Sequence, residues 1–262
     1  TLTFGPGIAN RWEVSEDKKQ FTFHIDPRAH WSDGVPITAE DVAWSFNAVK
    51  NPEHLTGPLQ ASMKRLIEIE ALDEKTVRIT ADEVHWKNQL ACSMFYIMPK
   101  HWWESQDFNK VNFEFPIVSG PYSLGEVKEQ HFARLEKRGD YWRAGDAVGE
   151  GQLNFDTIEY RFYAQRDIAF EAFKKGEFDL FAVYTSSRWI KETEAERFKK
   201  NWIVKQSVFN RQPVGFQGMA MNMRRAPYDD KKVRQALAYL MDRKRMNETI
   251  MFNQYPLSRS YW

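Results

Sequence analysis

The chain has 262 residues, 37 basic and 36 acidic, for a formal net charge of +1. That balance argues against a nucleic-acid binder, which needs a basic face to neutralise phosphates. With 28% charged and 42% hydrophobic residues the chain is not of the disordered class. No run approaches the roughly 20 apolar residues of a membrane span, and the one cysteine, Cys92, excludes an intrachain disulfide. Aromatic residues make up 15%, enough for a large core or for a surface that grips a ligand by stacking.

In chain order, residues 21–25 alternate, so Phe21, Phe23 and Ile25 share one face of a strand. Thr38 and Asp41 have the spacing of a short capping box, opening a helix whose Val42, Phe46 and Val49 form one stripe. Asn51-Pro52 stops it. Residues 67–71 and 76–80 read as alternating strands joined by a tight hairpin, with Glu68 and Glu70 toward solvent. Residues 84–98 read as a short helix or an irregular apolar segment, and 113–119 as an extended linker. Residues 122–127 and 131–137 read as paired strands, and 139–151, with four glycines, as a loop. Ile158, Tyr160 and Phe162 mark another strand. A helix over 167–175 carries Ala169, Ala172 and Phe173 and ends at Gly176 as a left-handed cap. Residues 178–183 are a nearly continuous apolar run, which suits a buried strand, and strand–helix–strand order implies an α/β layer. A polar helix over 192–200 and a strand over 218–223 follow. Beyond the Pro227 turn, Asp229 or Asp230 caps a helix with Val233, Leu237, Leu240 and Met241 on one side. Leu2, Phe4, Tyr261 and Trp262 are buriable residues at the two ends, which suggests a piece of something longer.

Chemistry-bearing motifs are scarce. The six histidines are scattered. His101 and Glu104, at i, i+3, could share one metal ion, but a helix-start histidine is the simpler reading. Cys92 has no CxxC partner or nearby base and reads as a small buried hydrophobe. Glu40/Asp41 belong to a helix start, where negative charge suits the dipole. Asn247-Glu248-Thr249 matches a glycosylation sequon but falls in a helix and is read as chance. No nucleophile elbow, phosphate loop or dinucleotide fingerprint is present. Together with the aromatic excess, this points to a binding protein rather than an enzyme, with no cofactor and no metal.

Several stretches are more specific. Ile8-Ala9-Asn10-Arg11-Trp12-Glu13-Val14-Ser15-Glu16-Asp17, Phe21-Thr22-Phe23-His24-Ile25 and Trp31-Ser32-Asp33-Gly34-Val35-Pro36-Ile37-Thr38-Ala39-Glu40-Asp41-Val42 come first. Pro99-Lys100-His101, Ser119-Gly120-Pro121-Tyr122 and Arg138-Gly139-Asp140-Tyr141-Trp142 follow. Phe173-Lys174-Lys175-Gly176-Glu177-Phe178-Asp179, and Asn222 through Pro227-Tyr228-Asp229-Asp230-Lys231-Lys232-Val233-Arg234-Gln235-Ala236-Leu237, complete the series. In this order they resemble the extracytoplasmic solute-binding proteins of dipeptide and oligopeptide ABC importers, solute-binding family 5. Asn154-Phe155-Asp156-Thr157-Ile158-Glu159-Tyr160-Arg161-Phe162-Tyr163, with the stretch from Gln254-Tyr255 to Tyr261-Trp262, is similar to the subgroup handling longer peptides and the peptide-nucleotide microcin C.

The resemblance implies a mixed α/β chain with part of the type II (cluster C) periplasmic-binding-protein fold, lacking part of both lobes. It implies an extra domain over 1–118, part of the first lobe over 119–215, and the hinge crossover and start of the second lobe over 216–262. It implies capture of oligopeptides between two closing lobes, delivery to the membrane permease subunits of an ABC importer, a periplasmic location with no signal peptide in this chain, and a monomeric full-length protein that binds no nucleic acid. The residue that holds a peptide's amino end in many relatives has no counterpart in this stretch. The implied ligand residues are Tyr184, Thr185, Ser186 and Trp189 on one loop, and Phe216, Gln217 and Met219 on the crossover strand. Phe216 and Met219 are equally compatible with core packing, and helix packing is slightly favoured for Trp189. Trp12, Trp31, Trp44, Trp102 and Trp103 read as core or interdomain packing. Two other readings stand beside this one: a carbohydrate-active enzyme or carbohydrate-binding protein using surface tryptophans, and a structural fragment without ligand competence. A lobe lacking strands would also expose sheet edges that invite pairing with another copy.

Overall fold

A computed structural model describes residues 4–110, 114, 117–209 and 218–255. The chain divides into two compact units, with the boundary between Phe162 and Tyr163.

The first unit begins with an antiparallel sheet in the order β1-β2-β4-β3, formed by Ala9–Val14, Gln20–Ile25, Leu66–Ala71 (β3) and Thr76–Ala81 (β4). The alternation read from residues 21–25 holds: Phe21 and Ile25 are buried beside Val77, Ile79 and Ala81 on one face. The opposite face carries Arg11, Glu13 and His24, which bond one another, and the Arg78–Glu70 pair. One dry face and one wet face is the expected state of an antiparallel sheet. Strand β3 departs from simple alternation. A register shift between Leu66 and Glu68 buries Leu66 fully and leaves Ile67 56% exposed, because a bulge re-aims the side chains on one side of it.

Helix α1, Ala39–Lys50, covers the dry face. Its capping box is formed: the Thr38 side chain accepts from the Asp41 amide, and the Asp41 carboxylate accepts from the Thr38 amide at 2.9 Å. Val42, Phe46 and Val49 are all buried, as their spacing implies. Asp41 is buried as well and does more than cap. It also accepts from the Lys100 amide at 2.9 Å and from the indole of Trp31 at 3.4 Å. The Ser45 hydroxyl, one turn on, donates to the Asp41 carbonyl and accepts from the Met98 amide. One face of α1 thus holds residues 98–100 in place. Short helices α2, Gly57–Ser62, α3, Asn88–Met94, and α4, Lys100–Trp103, fill the margins.

A second antiparallel sheet, β5-β6-β7, comprises Tyr122–Lys128, Phe132–Lys137 and Thr157–Arg161. A buried guanidinium joins it to the first sheet. Arg138 leaves the end of β6 and donates to the carbonyls of Val118, Gly120 and Trp31, while Asp140 balances its charge at 2.9 Å. The Ser32 amide donates to the Val118 carbonyl at 2.8 Å, and the Val118 amide returns to the Ser32 hydroxyl. Arg28 pairs with Asp26 and Asp146, and the Trp142 indole donates to the Ser119 carbonyl.

The second unit holds α5, Arg166–Lys175, then α6, Ser186–Lys191, α7, Glu196–Lys199, α8, Lys231–Leu240, and α9, Arg243–Thr249. Helix α5 ends at Gly176 with φ of 85°, a backbone state open to glycine at little cost. Asp230 caps α8 by accepting from the Lys232 amide at 2.7 Å. The sequon residues lie in α9.

Three expectations fail here. Residues 178–183 form no strand. Phe178 and Phe181 both pack on α5, with ring centroids among Phe170, Phe173, Phe178 and Phe181 5.3–6.4 Å apart. A strand would send residues three apart to opposite faces, so ring packing overrides extension, and Leu180 is left 87% exposed. Residues 218–223 are not a strand either: among the described residues this unit has no strand to pair with, and an extended segment without a ladder is not a sheet. The helix over 192–200 shrinks to the single turn α7, because without an apolar stripe it gains little from packing.

Replacing Arg138 by Ala should take one donor from each of the Trp31, Val118 and Gly120 carbonyls, leave Asp140 without its guanidinium, and lower stability by about 3 kcal/mol, read as a shift in the urea midpoint. Acid should weaken the same region. The hydrogen bonds from Arg28 hold the Asp26 carboxyl below its ordinary 3.8, so its stabilisation is complete above that value and lost as pH falls through the depressed folded value. Asp26→Asn should flatten this acid limb in urea midpoints measured between pH 5 and pH 2; an unchanged limb would contradict the pairing.

Candidate functional site

The segment from Tyr184 to Trp189 leaves the ring cluster and enters α6. Its anchoring is local. Arg188 is buried, lies 4.9 Å over the Phe170 ring, and pairs with Asp167 and Glu192. Ser186 is buried and donates to the Met251 sulfur at 3.9 Å. The Tyr255 hydroxyl donates to the Tyr184 carbonyl at 3.2 Å. These contacts fix the backbone and leave the Tyr184 ring 74% exposed, with Thr185 exposed beside it. A rigid base under a projecting aromatic ring suits recognition, since little order remains to be created on binding.

The residues singled out from sequence separate into four groups. Tyr184 and Thr185 project to solvent. Ser186 and Trp189 serve packing: Trp189 is half-buried, with the Lys205 ammonium 4.4 Å over its ring. Met219 is 68% exposed in an irregular segment. Phe216 and Gln217 lie outside the described residues.

One neighbour of this loop had not been singled out. Arg166, the first residue of α5, places its guanidinium 4.8 Å from the Tyr184 ring centroid and 5.1 Å from that of Phe181, and donates to the Ala182 carbonyl. The signal available in sequence was electrostatic: a cation opening a helix sits where the dipole favours an anion.

Other candidates contribute less. A cavity of about 330 Å³ in the first unit is bounded by Trp12, Phe23, Val77, Cys92 and Phe95. Among the described residues no charged side chain lines it, and its side-chain hydroxyls are those of Ser93, Tyr96 and Ser119, a poor match for the many amides of a peptide. His101 bonds Asp33 at 2.8 Å, and among the described residues no cluster of ligating side chains could hold a metal ion. Trp31 is buried, and Trp12, Trp44, Trp102 and Trp103 are half-buried, as packing residues should be. Trp86 and Trp202 are 72% and 69% exposed. They lie in different units, each with a lysine ammonium over its ring. No described helix is long and apolar enough to cross a membrane.

The model of bacterial extracellular solute-binding proteins, family 5 (Middle), matches residues 3–261. The chain belongs to this family. A relative from Agrobacterium fabrum, named a probable peptide-binding protein, YejA, is 32% identical over 97% of this chain and 43% of its own length. A periplasmic oligopeptide-binding protein of Borrelia burgdorferi, OppAIV, shares 26% identity with a TM-score of 0.67, covering 94% of this chain and 50% of its own. NikZ of Campylobacter jejuni, solved with Ni(L-His), superposes with a TM-score of 0.71 at 22% identity, over 98% of this chain and 50% of its own, and speaks to the fold alone. The fold is therefore mixed α/β and part of the type II periplasmic-binding-protein architecture. These proteins bind solutes and are not enzymes. The chain spans less than half the length of the YejA relative.

Burial pushes the Cys92 thiol up to about 12, so only a minute fraction is thiolate near neutrality. Iodoacetamide at pH 8 should leave the Cys92 tryptic peptide unmodified in native protein and alkylate it in about 8 M urea; rapid native labelling would contradict the burial.

Proposed function

We infer that this chain is part of the substrate-binding component of an ABC-type importer, that it works outside the cytoplasmic membrane, and that its cargo is oligopeptide. The observation that carries the reading is the Tyr184–Thr185 projection: an exposed ring and hydroxyl on a backbone held by Tyr255, Ser186 and Arg188. An aromatic wall with a few hydrogen-bonding groups suits peptides of varied sequence. The names of the Agrobacterium and Borrelia relatives support the peptide reading, while the nickel–histidine complex of NikZ marks how far cargo can vary on this fold. In this reading the lobes close on ligand about a hinge, and the closed form is presented to the permease subunits. The extra domain over 1–118 and lobe segments over 119–215 and 216–262 belong to the same proposal. The compact first unit runs on to Phe162 because Arg138 and Ser32 stitch the second sheet to the first.

Native mass spectrometry of the whole protein as purified should reveal bound peptide masses. In calorimetric titrations with a mixed peptide library, Tyr184→Ala should weaken binding about tenfold, the loss usual for an aromatic anchor. No heat from the wild-type protein would overturn the peptide reading; unchanged affinity in the variant would remove this loop from the site.

A further inference from the structure

We propose that Arg166 is the anion-holding residue of the Tyr184 loop and takes a carboxylate of the bound ligand. This rests on the peptide-binding reading of that loop. Arg166 is exposed and flanked by the rings of Phe181 and Tyr184. Its hydrogen bond to the Ala182 carbonyl occupies one of five guanidinium donors and fixes the plane of the group. Among the described residues no carboxylate pairs with it. That sets it apart from its neighbour Arg188, which holds Asp167 and Glu192, and from Arg28, Arg134, Arg138 and Arg143, all ion-paired. Asp167, the acid next in sequence, is committed to Arg188.

The location adds to the argument. Arg166 is the first residue of the ten-residue helix α5, and its N-cap, Gln165, makes no capping bond with its side chain. The amide ends of the helix and the guanidinium therefore raise the same local positive potential. A fork of N–H donors between aromatic walls, with no internal counter-ion, matches the planar two-oxygen face of a carboxylate. The rings stack on the guanidinium and leave its N–H edge to the ligand. Such a carboxylate has two sources in a peptide: its C-terminus, or an Asp or Glu side chain.

Three synthetic hexapeptide libraries test this by calorimetry on the whole protein: one free of Asp and Glu with a free C-terminus, the same library amidated, and an amidated library containing Asp and Glu. Wild-type protein should bind at least one of the two anionic libraries about tenfold tighter than the neutral one, and whichever gains identifies the source. Arg166→Gln should abolish the preference while its urea midpoint stays that of the wild type, which certifies its fold; Arg166→Lys should retain part of the preference. Equal wild-type affinity for all three libraries, a preference that survives in Arg166→Gln, or equal loss of all three in that variant would each overturn the carboxylate assignment alone. No binding of any library by the wild type would overturn the peptide reading and this inference with it.

Discussion

The first unit depends on the buried Arg138 guanidinium. A charge this far from water is tolerable only when its donors are satisfied and a counter-ion is at hand. Here the donors reach carbonyls from three places in the chain, Trp31, Val118 and Gly120, and Asp140 supplies the negative charge. Because Trp31 also lies against Asp41 at the start of α1, one continuous network runs from the end of β6 through the Trp31 turn to the helix that covers the first sheet. The two sheets share no strand; this network, with the Arg28–Asp146 pair and the Ser32–Val118 bonds, ties them into one unit.

The same reasoning accounts for the motif stretches by which the chain resembles its family. Trp31 through Val42 and Arg138 through Trp142 are rich in tryptophan and charge. In the fold they are scaffolding. Trp31 is fully buried, Asp41 caps α1 and accepts from Lys100, and Trp142 packs against the core around Ile25, Ile37 and Val77 under Arg28. Recognition of the family therefore rests on residues that hold the fold, which is why it reaches the fold with more authority than the cargo.

Among its described residues the second unit is organised by ring packing and has no sheet. Phe170, Phe173, Phe178 and Phe181 form its centre, and Arg188 caps the cluster from the α6 side. Past this cluster, α8 keeps Val233 and Leu237 half-buried while Tyr239 and Leu240 stand 87% and 81% exposed. The Tyr184 loop owes its position to the ring cluster, since the segment that leads to it is held by Phe178 and Phe181.

Local rules sufficed for much of this architecture. The Thr38–Asp41 capping box, the stripe on α1, the β3–β4 and β5–β6 hairpins, the Gly176 cap and the Asp230 cap all follow from interactions between residues close in sequence, so the sequence determined them unaided; the pairing of β2 with β4 and of β6 with β7 joins distant segments and was decided by the fold. The burial of Cys92 was legible locally as well: a small apolar residue in an apolar stretch needs no distant partner to be explained. What only the tertiary structure decided depends on partners far apart in sequence. A bulge turned Ile67 outward, and ring packing on α5 cancelled the strand over 178–183. Of the candidate site, residue type pointed to the Tyr184 loop, but the division into projecting Tyr184 and Thr185 and packed Ser186 and Trp189 came from contacts with Met251, Tyr255 and Lys205. The placement of Arg166 against Tyr184, 18 positions along the chain, is of the same kind: periodicity can assign a residue to a helix end, but only the folded path brings that end to the loop.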